Sequence, residues 1–287
     1  MCYSGERLCK EWLGNGAPVR LTMAVDGEKA LLVKAAWLAL ACLFLLNPTG
    51  ATAELNFTNS LAQAALAERR GDFQAAQGIY RQEQMAEATN AAYLCILARC
   101  YCQLAYLTNN KAAQEDSVKG AVACSLQAVR VDSTNAEAHA CLAVAYAKSC
   151  AFVDLKTQLA YSRVFKLEAE RTIALDPRQD IAYYLLGRWN YAIANAGFLA
   201  RTYVKLVYGA LPEASYQAAI ENFQKAMALA PDRIIHHAGL ALAYEAAGEK
   251  MLALAELRRC QTLKPAGPED EEAKREASKQ LKRFGGK

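Results

Sequence analysis

Histidine is scarce in this chain. Only His139, His236 and His237 occur in 287 residues, and two of them are adjacent. The local patterns that announce common enzyme chemistries are missing as well. There is no phosphate-cradling glycine loop, no nucleophile elbow, no HExxH and no dinucleotide fingerprint. Asp and Glu are scattered rather than set in pairs, so no acid–base constellation can be placed. No metal set and no cofactor motif is found, and the chain reads as non-catalytic. A concentrated block of one charge is also absent. Lys and Arg total 33 against 29 Asp and Glu, interspersed, for a net charge of +4. A nucleic-acid partner would favour a basic stripe, so nucleic acid is excluded as the main partner. The uninterrupted apolar run over 35–46 is 12 residues long, short of the roughly 17–25 that span a bilayer.

What the chain has in quantity is a returning phrase. Leu240-Ala241-Leu242-Ala243-Tyr244, then Gly248, Ala253, Cys260 and Pro265, form a unit that begins at Ile234. Leu142-Ala143-Val144-Ala145-Tyr146 and Leu97-Ala98-Arg99-Cys100-Tyr101 repeat its opening, and Leu186-Gly187 opens another copy. The copies close alike, on Val131-Asp132-Ser133, Leu175-Asp176-Pro177 and Leu229-Ala230-Pro231. A weaker copy runs through Gly71-Asp72-Phe73, Ala76 and Tyr80. These spacings match the helix–turn–helix tetratricopeptide repeat of about 34 residues. Proline past the second helix fits, because it cannot donate the next helical hydrogen bond. Small residues at fixed positions let helices approach, and aromatic rings fill the space between layers. A single unit cannot bury its apolar face, so the copies must stack. The expected fold is therefore all-α: a tetratricopeptide-repeat helical solenoid of five repeats over 54–265.

The spacing is uneven. Pro231 to Pro265 is 34 residues, Ser133 to Pro177 is 44 and Pro177 to Pro231 is 54. The extra residues fall inside repeats two, three and four and predict lengthened helix pairs. The largest insertion, 195–211, carries Arg201 and Lys205 at helical spacing and reads as an elongated helix plus a linker. Its aromatic part, between Phe198 and Tyr208, could make peripheral membrane contact. Residues 266–287 change composition. Glu269 to Glu272 put acid on the first turn of a helix ending in Lys279, Lys282 and Arg283, in the order that suits the helix dipole. This reads as a solvated C-terminal capping helix.

Lys29 and Lys34, the apolar core 35–46, Asn47-Pro48 and Ala51-Thr52-Ala53 compose a secretory leader over 1–53, cleaved after Ala53, with Met23 as the expected start. An uncleaved membrane anchor is the alternative. The expected location is extracytoplasmic, secreted or periplasmic. Seven of the ten cysteines follow that site, an odd number that cannot all pair within one chain. Cys100-x-Cys102 lacks a zinc partner pair at the usual spacing. Most cysteines read as small buried filler. A disulfide between adjacent helices is open for one or two pairs, and the sequence does not choose them.

Leu185-Leu186-Gly187-Arg188-Trp189-Asn190-Tyr191, the insertion ending in Leu211-Pro212-Glu213-Ala214-Ser215-Tyr216, and Ala218 with Phe223, Lys225 and Ala226 together resemble the regulator of microtubule dynamics proteins, a divergent tetratricopeptide group. The resemblance runs from about Phe57 to Phe284. It implies an α-helical solenoid without catalysis. In that family some animal members associate with microtubules, and at least one has a lipid-binding repeat domain at membrane contacts. The cleavable leader departs from the anchored members, and export departs from cytosolic tubulin, so a tubulin role is not carried over.

In such solenoids the first helices line the concave face. The corresponding positions are Cys95, Arg99 and Cys102; Glu137, Ala140, Val144 and Ala147; Ile181, Tyr184, Arg188 and Tyr191; and Ile235, Ala238, Leu242 and Glu245. The candidate ligand-binding residues are Arg99, Val144, Ile181, Tyr184, Arg188, Tyr191 and Leu242. A guanidinium can hold a carboxylate or phosphate while apolar neighbours take a chain. The competing role for Arg99 and Arg188 is a salt bridge to Glu137 or another acid. For Tyr184 and Tyr191 it is packing between layers. His139 and His237 stand where a repeat places a bulky packing residue, and Trp189 lies one residue off the concave phase, in the core. The expected function is a scaffold for a protein or peptide partner. The alternative is a lipid or fatty-acyl carrier using the same groove.

Overall fold

The computed structural model describes residues 49–86, 88–197, 201–202, 204–205 and 213–285. The chain divides into two compact units, Met1–Leu55 and Asn56–Lys287, and the account below concerns the second. The apolar core 35–46 lies outside the described residues. No helix among the described residues is long and apolar enough to cross a membrane.

Among the described residues eleven α-helices are given bounds: α1 (Thr49–Arg69), α2 (Phe73–Ala86), α3 (Ala91–Leu107), α4 (Lys111–Val131), α5 (Ala136–Ser149), α6 (Leu155–Leu175), α7 (Asp180–Ala194), α8 (Tyr216–Leu229), α9 (Ile234–Ala246), α10 (Lys250–Thr262) and α11 (Pro268–Gly285). Each helix from α3 to α10 packs on the next. The first helices α3, α5, α7 and α9 also touch in sequence, which sets them side by side as one wall. This is a tetratricopeptide-repeat solenoid. Helices α4 and α6 reach 21 residues, against 13 for α9 and α10. The eight additional residues are about two turns. Of the insertion 195–211, only part falls among the described residues.

Local chemistry sets the boundaries. Asn90, Asn110, Asn135, Asp154 and Ser215 accept hydrogen bonds from the first free N–H groups of α3, α4, α5, α6 and α8. Asp132 and Asp176 each accept the N–H two residues on, at 3.0 Å, building the same turn between successive repeats. Gly71 and Gly248 close α1 and α9 at φ 76° and 88°, backbone that side chains other than hydrogen rarely adopt. Inside, the Phe223 ring is fully buried between two glycines. A Cβ on Gly187 would lie 2.8 Å from it and one on Gly239 2.6 Å. The small residues of the repeat phrase are thus the clearance into which the next helix sets its ring.

The terminal helix departs from its expected role as a solvated cover. It packs on α10 and α9, but it also reaches α3, three repeats back. Asp270, expected in a solvated acidic run, is 1% exposed. Its carboxylate accepts from the Ile235 N–H at 3.0 Å and the Ala266 N–H at 3.1 Å. The reason is local: Arg233, at the N-cap of α9, makes no side-chain capping bond. The free N–H groups there take their acceptor from α11 instead.

Candidate functional site: the concave cavity

The wall of first helices borders a cavity of about 990 Å³, and α11 touches α3 and adds Glu269 to the lining. Residues four apart on each helix supply the lining: Ala98, Cys102 and Tyr106 on α3; Ala140, Val144 and Lys148 on α5; Ile181, Leu185 and Trp189, with Tyr184 and Arg188, on α7. The first half of α6 adds Leu155, Leu159 and Phe165, while Val204, Arg233, Ile235 and Glu269 also line the cavity. The surface is mainly apolar, with cations set into it.

Those cations are in different states. Arg99 forms an ion pair with Glu137, across the gap from α3 to α5. Lys148 sits 3.7 Å above the Tyr106 ring centre, a cation–π contact. Arg233 bonds Asp180 at 2.7 Å and Glu269 at 3.4 Å, and His236 meets the same Asp180 oxygen at 2.7 Å. Burial pushes the Asp180 carboxyl up, but His236 and Arg233 overcome it and hold the group at about 2. The network therefore carries a fixed negative charge and ties the starts of α7, α9 and α11 together.

Arg188 differs from the others. Its guanidinium donates to the Tyr184 hydroxyl at 3.2 Å, and no carboxylate among the described residues pairs with it. Its side chain is accessible, yet the accessible surface faces the cavity, so it is ringed by protein while remaining open to a guest. The neighbouring Tyr184 acts first to hold it charged, and burial opposes.

The sequence-derived candidates can now be placed. Arg99, Val144, Ile181, Tyr184 and Arg188 come together in the cavity wall. Leu242 lies instead in a smaller space of about 240 Å³ beneath α11, which Tyr184 and Arg188 also border. Tyr191 lines neither space. It packs against Tyr216 at 6.1 Å between ring centres, and against the core around Phe223. Cys95, assigned to the concave phase, is fully buried behind the wall. The repeat phase describes a straight first helix, and small neighbours bring these last two positions against the next layer. Trp189 is both core and wall, 5% exposed. Residues the sequence did not point to are Tyr106 and Lys148, beyond the standard first-helix positions, and the α6 stripe. The i, i+4 spacing of Leu155 and Leu159 was the available signal.

The histidines are structural. His139 meets Glu168 at 2.5 Å and the Ser133 carbonyl at 3.0 Å, while His237 meets Glu256 at 2.6 Å and the Pro231 carbonyl at 2.8 Å. In each, both ring nitrogens face acceptors, an arrangement that favours the doubly protonated ring. The same clamp thus recurs in repeats three and five, tying first helix to second.

Stacked helix pairs with a lined concave cavity among the described residues define the class: a tetratricopeptide-repeat solenoid protein. Within that class, the family described as regulator of microtubule dynamics protein 1-3 matches residues 60–285. The chain belongs to this family. Regulator of microtubule dynamics protein 3 of Xenopus laevis is 28% identical over 139 residues, covering 48% of this chain and 30% of that protein. Regulator of microtubule dynamics protein 2 of Homo sapiens is 26% identical over 134 residues, covering 47% and 33%. The match thus spans about a third of each relative's length. Among solved structures, the tetratricopeptide protein TTC0263 of Thermus thermophilus superposes with a TM-score of 0.53 at 16% identity. It covers 77% of this chain and 98% of that one, a likeness of fold.

Proposed function

We propose that this chain is a non-catalytic scaffold whose concave cavity receives an anionic group continued by an apolar segment, supplied by the acidic end of a partner peptide. The observation that carries this reading is Arg188, a guanidinium with no carboxylate partner among the described residues, set in a largely apolar wall. A charged donor set among apolar side chains rewards a guest that brings the missing anion. Lys148, with its charge resting on Tyr106, stands on the same wall. The relatives' names speak of microtubule dynamics; nothing in the cavity chemistry selects tubulin, so that role is not assigned.

A second reading, a lipid or fatty-acyl ligand, is favoured by the enclosure. α11 touches α3 and sets Glu269 in the lining, and Leu155, Leu159, Phe165 and Val204 form an apolar recess. About 990 Å³ lies at the upper end of small-molecule sites. For location, the leader over 1–53 supports an extracytoplasmic chain, and N-terminal sequencing of the mature protein checks it: a start at Glu54 is expected, and an intact leader would favour the anchored form.

Trp189, in the wall, gives the test its reporter. Fluorescence titrations would compare an apolar peptide ending in a free carboxylate, its C-terminal amide, and a long-chain fatty acid, each with the native chain and Arg188→Ala. Loss of a charge-assisted bond, about 1.5–3 kcal/mol, predicts affinity lower by about ten- to 150-fold for the amide and for the variant. Tighter binding of the fatty acid than of the peptide would select the second reading. Equal binding of acid and amide would sink the role given to Arg188.

A further inference from the structure

The seven cysteines among the described residues are all unbridged thiols. The structure singles out one pair. Cys95 on α3 and Cys141 on α5 belong to the neighbouring first helices of repeats two and three, which approach closely through Ala98, Ala138 and Ala145. The Cys141 thiol lies 3.8 Å from the Cys95 carbonyl oxygen, which sets it against the turn of α3 that carries Cys95. Both side chains are at least nine-tenths buried, but Cys141 borders the cavity.

We propose that Cys95 and Cys141 form a peroxide-oxidisable pair that closes into a disulfide between α3 and α5, directly behind the cavity wall. Three features favour this pair over the others. The first is reach: the Cys141 sulfur already touches the Cys95 backbone from the neighbouring helix, so a side-chain rotation rather than a helix shift is needed to close an S–S bond of about 2.05 Å. The second is access, since the cavity opens a path for a molecule as small as hydrogen peroxide to the Cys141 side of the pair. The third is reactivity. The neighbouring Cys141 thiol draws the Cys95 pKa below its ordinary value; burial opposes this and Arg99 reinforces it. Burial pushes Cys102 and Cys150 up to about 11, and Cys124 and Cys260 up to about 12. It raises Cys100 as well. Since the thiolate is the nucleophile, the pair that holds Cys95 is the one set to react first.

The chemistry balances with peroxide as the oxidant. The Cys95 thiolate attacks one peroxide oxygen. The O–O bond breaks, and the departing hydroxide takes up the proton that Cys95 has lost, leaving as water. Cys95 is then a sulfenic acid. Cys141, giving up its proton, attacks the sulfenic sulfur; the S–S bond forms and the S–O bond breaks, releasing hydroxide that becomes the second water. Two thiols lose two electrons and one peroxide gains them. The product staples the helices that carry Arg99 and Val144, so it fixes the curvature of that part of the wall.

The test uses the full chain, reduced and then exposed to a small excess of hydrogen peroxide before remaining thiols are blocked. The expected result is a mass lower by two hydrogens, about 2 Da, a thiol titre lower by two, and one linked peptide pair containing Cys95 and Cys141. Cys141→Ser should abolish the mass loss and leave Cys95 as a sulfenic acid that a carbon nucleophile of the dimedone type captures. Cys141→Ala gives the same readout without the new hydroxyl in a buried site. An unchanged thiol titre, a linkage mapped to another pair, or the same mass loss in both Cys141 variants would overturn the proposal.

Discussion

Replacing Gly239 by alanine sets two known effects against each other at one site. Gly239 lies inside α9, where alanine is favoured over glycine by about 0.8–1 kcal/mol through helix propensity alone. The new Cβ, however, would stand 2.6 Å from one Phe223 ring atom and 2.9 Å from another. The ring is fully buried and is held from the opposite side by Gly187, so it has no free space to yield into. Overpacking of this kind costs about 1–3 kcal/mol, and the net expectation for Gly239→Ala is a loss of up to about 2 kcal/mol. Phe223→Ala alone should cost about 3–5 kcal/mol through the cavity it leaves. With the ring gone, the clash disappears and the propensity term remains, so Gly239→Ala should then stabilise by up to about 1 kcal/mol. The sign reverses, giving a coupling of about 1–3 kcal/mol, within the range for residues in contact. Urea unfolding of the four proteins of the cycle measures it, with hydrogen exchange in α7–α9 as the local check. Additive effects, or a Gly239→Ala that stabilises the native chain, would refute the packing argument.

The pH dependence has a definite sign. His139 is raised above its ordinary value, chiefly by its bond to Glu168; for His237, burial lowers the value but the bonds to Glu256 and the Pro231 carbonyl outweigh it. A raised folded value means that both clamps contribute fully below the unfolded value of about 6.5 and are lost as pH rises through the folded values. His236, lowered by burial despite its bond to Asp180, acts only below that point, so the alkaline limb isolates the two clamps. The denaturation midpoint should fall from pH 6.5 upward, and Glu168→Gln with Glu256→Gln should flatten the profile; a midpoint that rises over that limb would contradict the assignment. Asp270→Ala leaves the Ile235 and Ala266 N–H groups without their acceptor, at a cost of about 1–3 kcal/mol. Hydrogen exchange should then accelerate in α11 and the start of α9 and stay unchanged in α4; uniform acceleration would speak against a local anchor. Arg188→Ala should leave the urea midpoint within about 0.5 kcal/mol of the native chain, because the side chain supports no ion pair, while binding in the cavity falls. A large loss of stability would show that Arg188 is structural.

The helix pairs were legible because the repeat phrase encodes clearance and filling together. Gly187 and Ala253 mark where a neighbour approaches, and Tyr101 and Phe223 mark what fills the gap; Gly239, one residue ahead of the phrase, is seen as clearance only in the structure. The first-helix phase likewise brought Arg99, Val144, Ile181, Tyr184 and Arg188 to one surface. It failed where a position depends on more than its own helix. Tyr191 is drawn into the next layer by Tyr216. Leu242 is covered by α11, whose path depends on the uncapped start of α9. The α6 wall arises from a lengthened helix that has no counterpart in a standard repeat. The choice between salt bridge and open cation was also beyond spacing. Arg99 and Arg188 occupy equivalent positions, yet Glu137 pairs with the first and, among the described residues, no carboxylate pairs with the second.

The central claim is that the cavity around Arg188 is where the guest sits, and native mass spectrometry with extraction of bound species tests it most directly. The native chain and Arg188→Ala would be purified side by side from the chain's own cellular route. The account predicts a retained anionic species, peptide or acyl, on the native chain and at least about a tenfold lower occupancy on the variant. Equal retention by both proteins, or a native chain that carries nothing and takes up neither acidic peptide nor fatty acid, would contradict it.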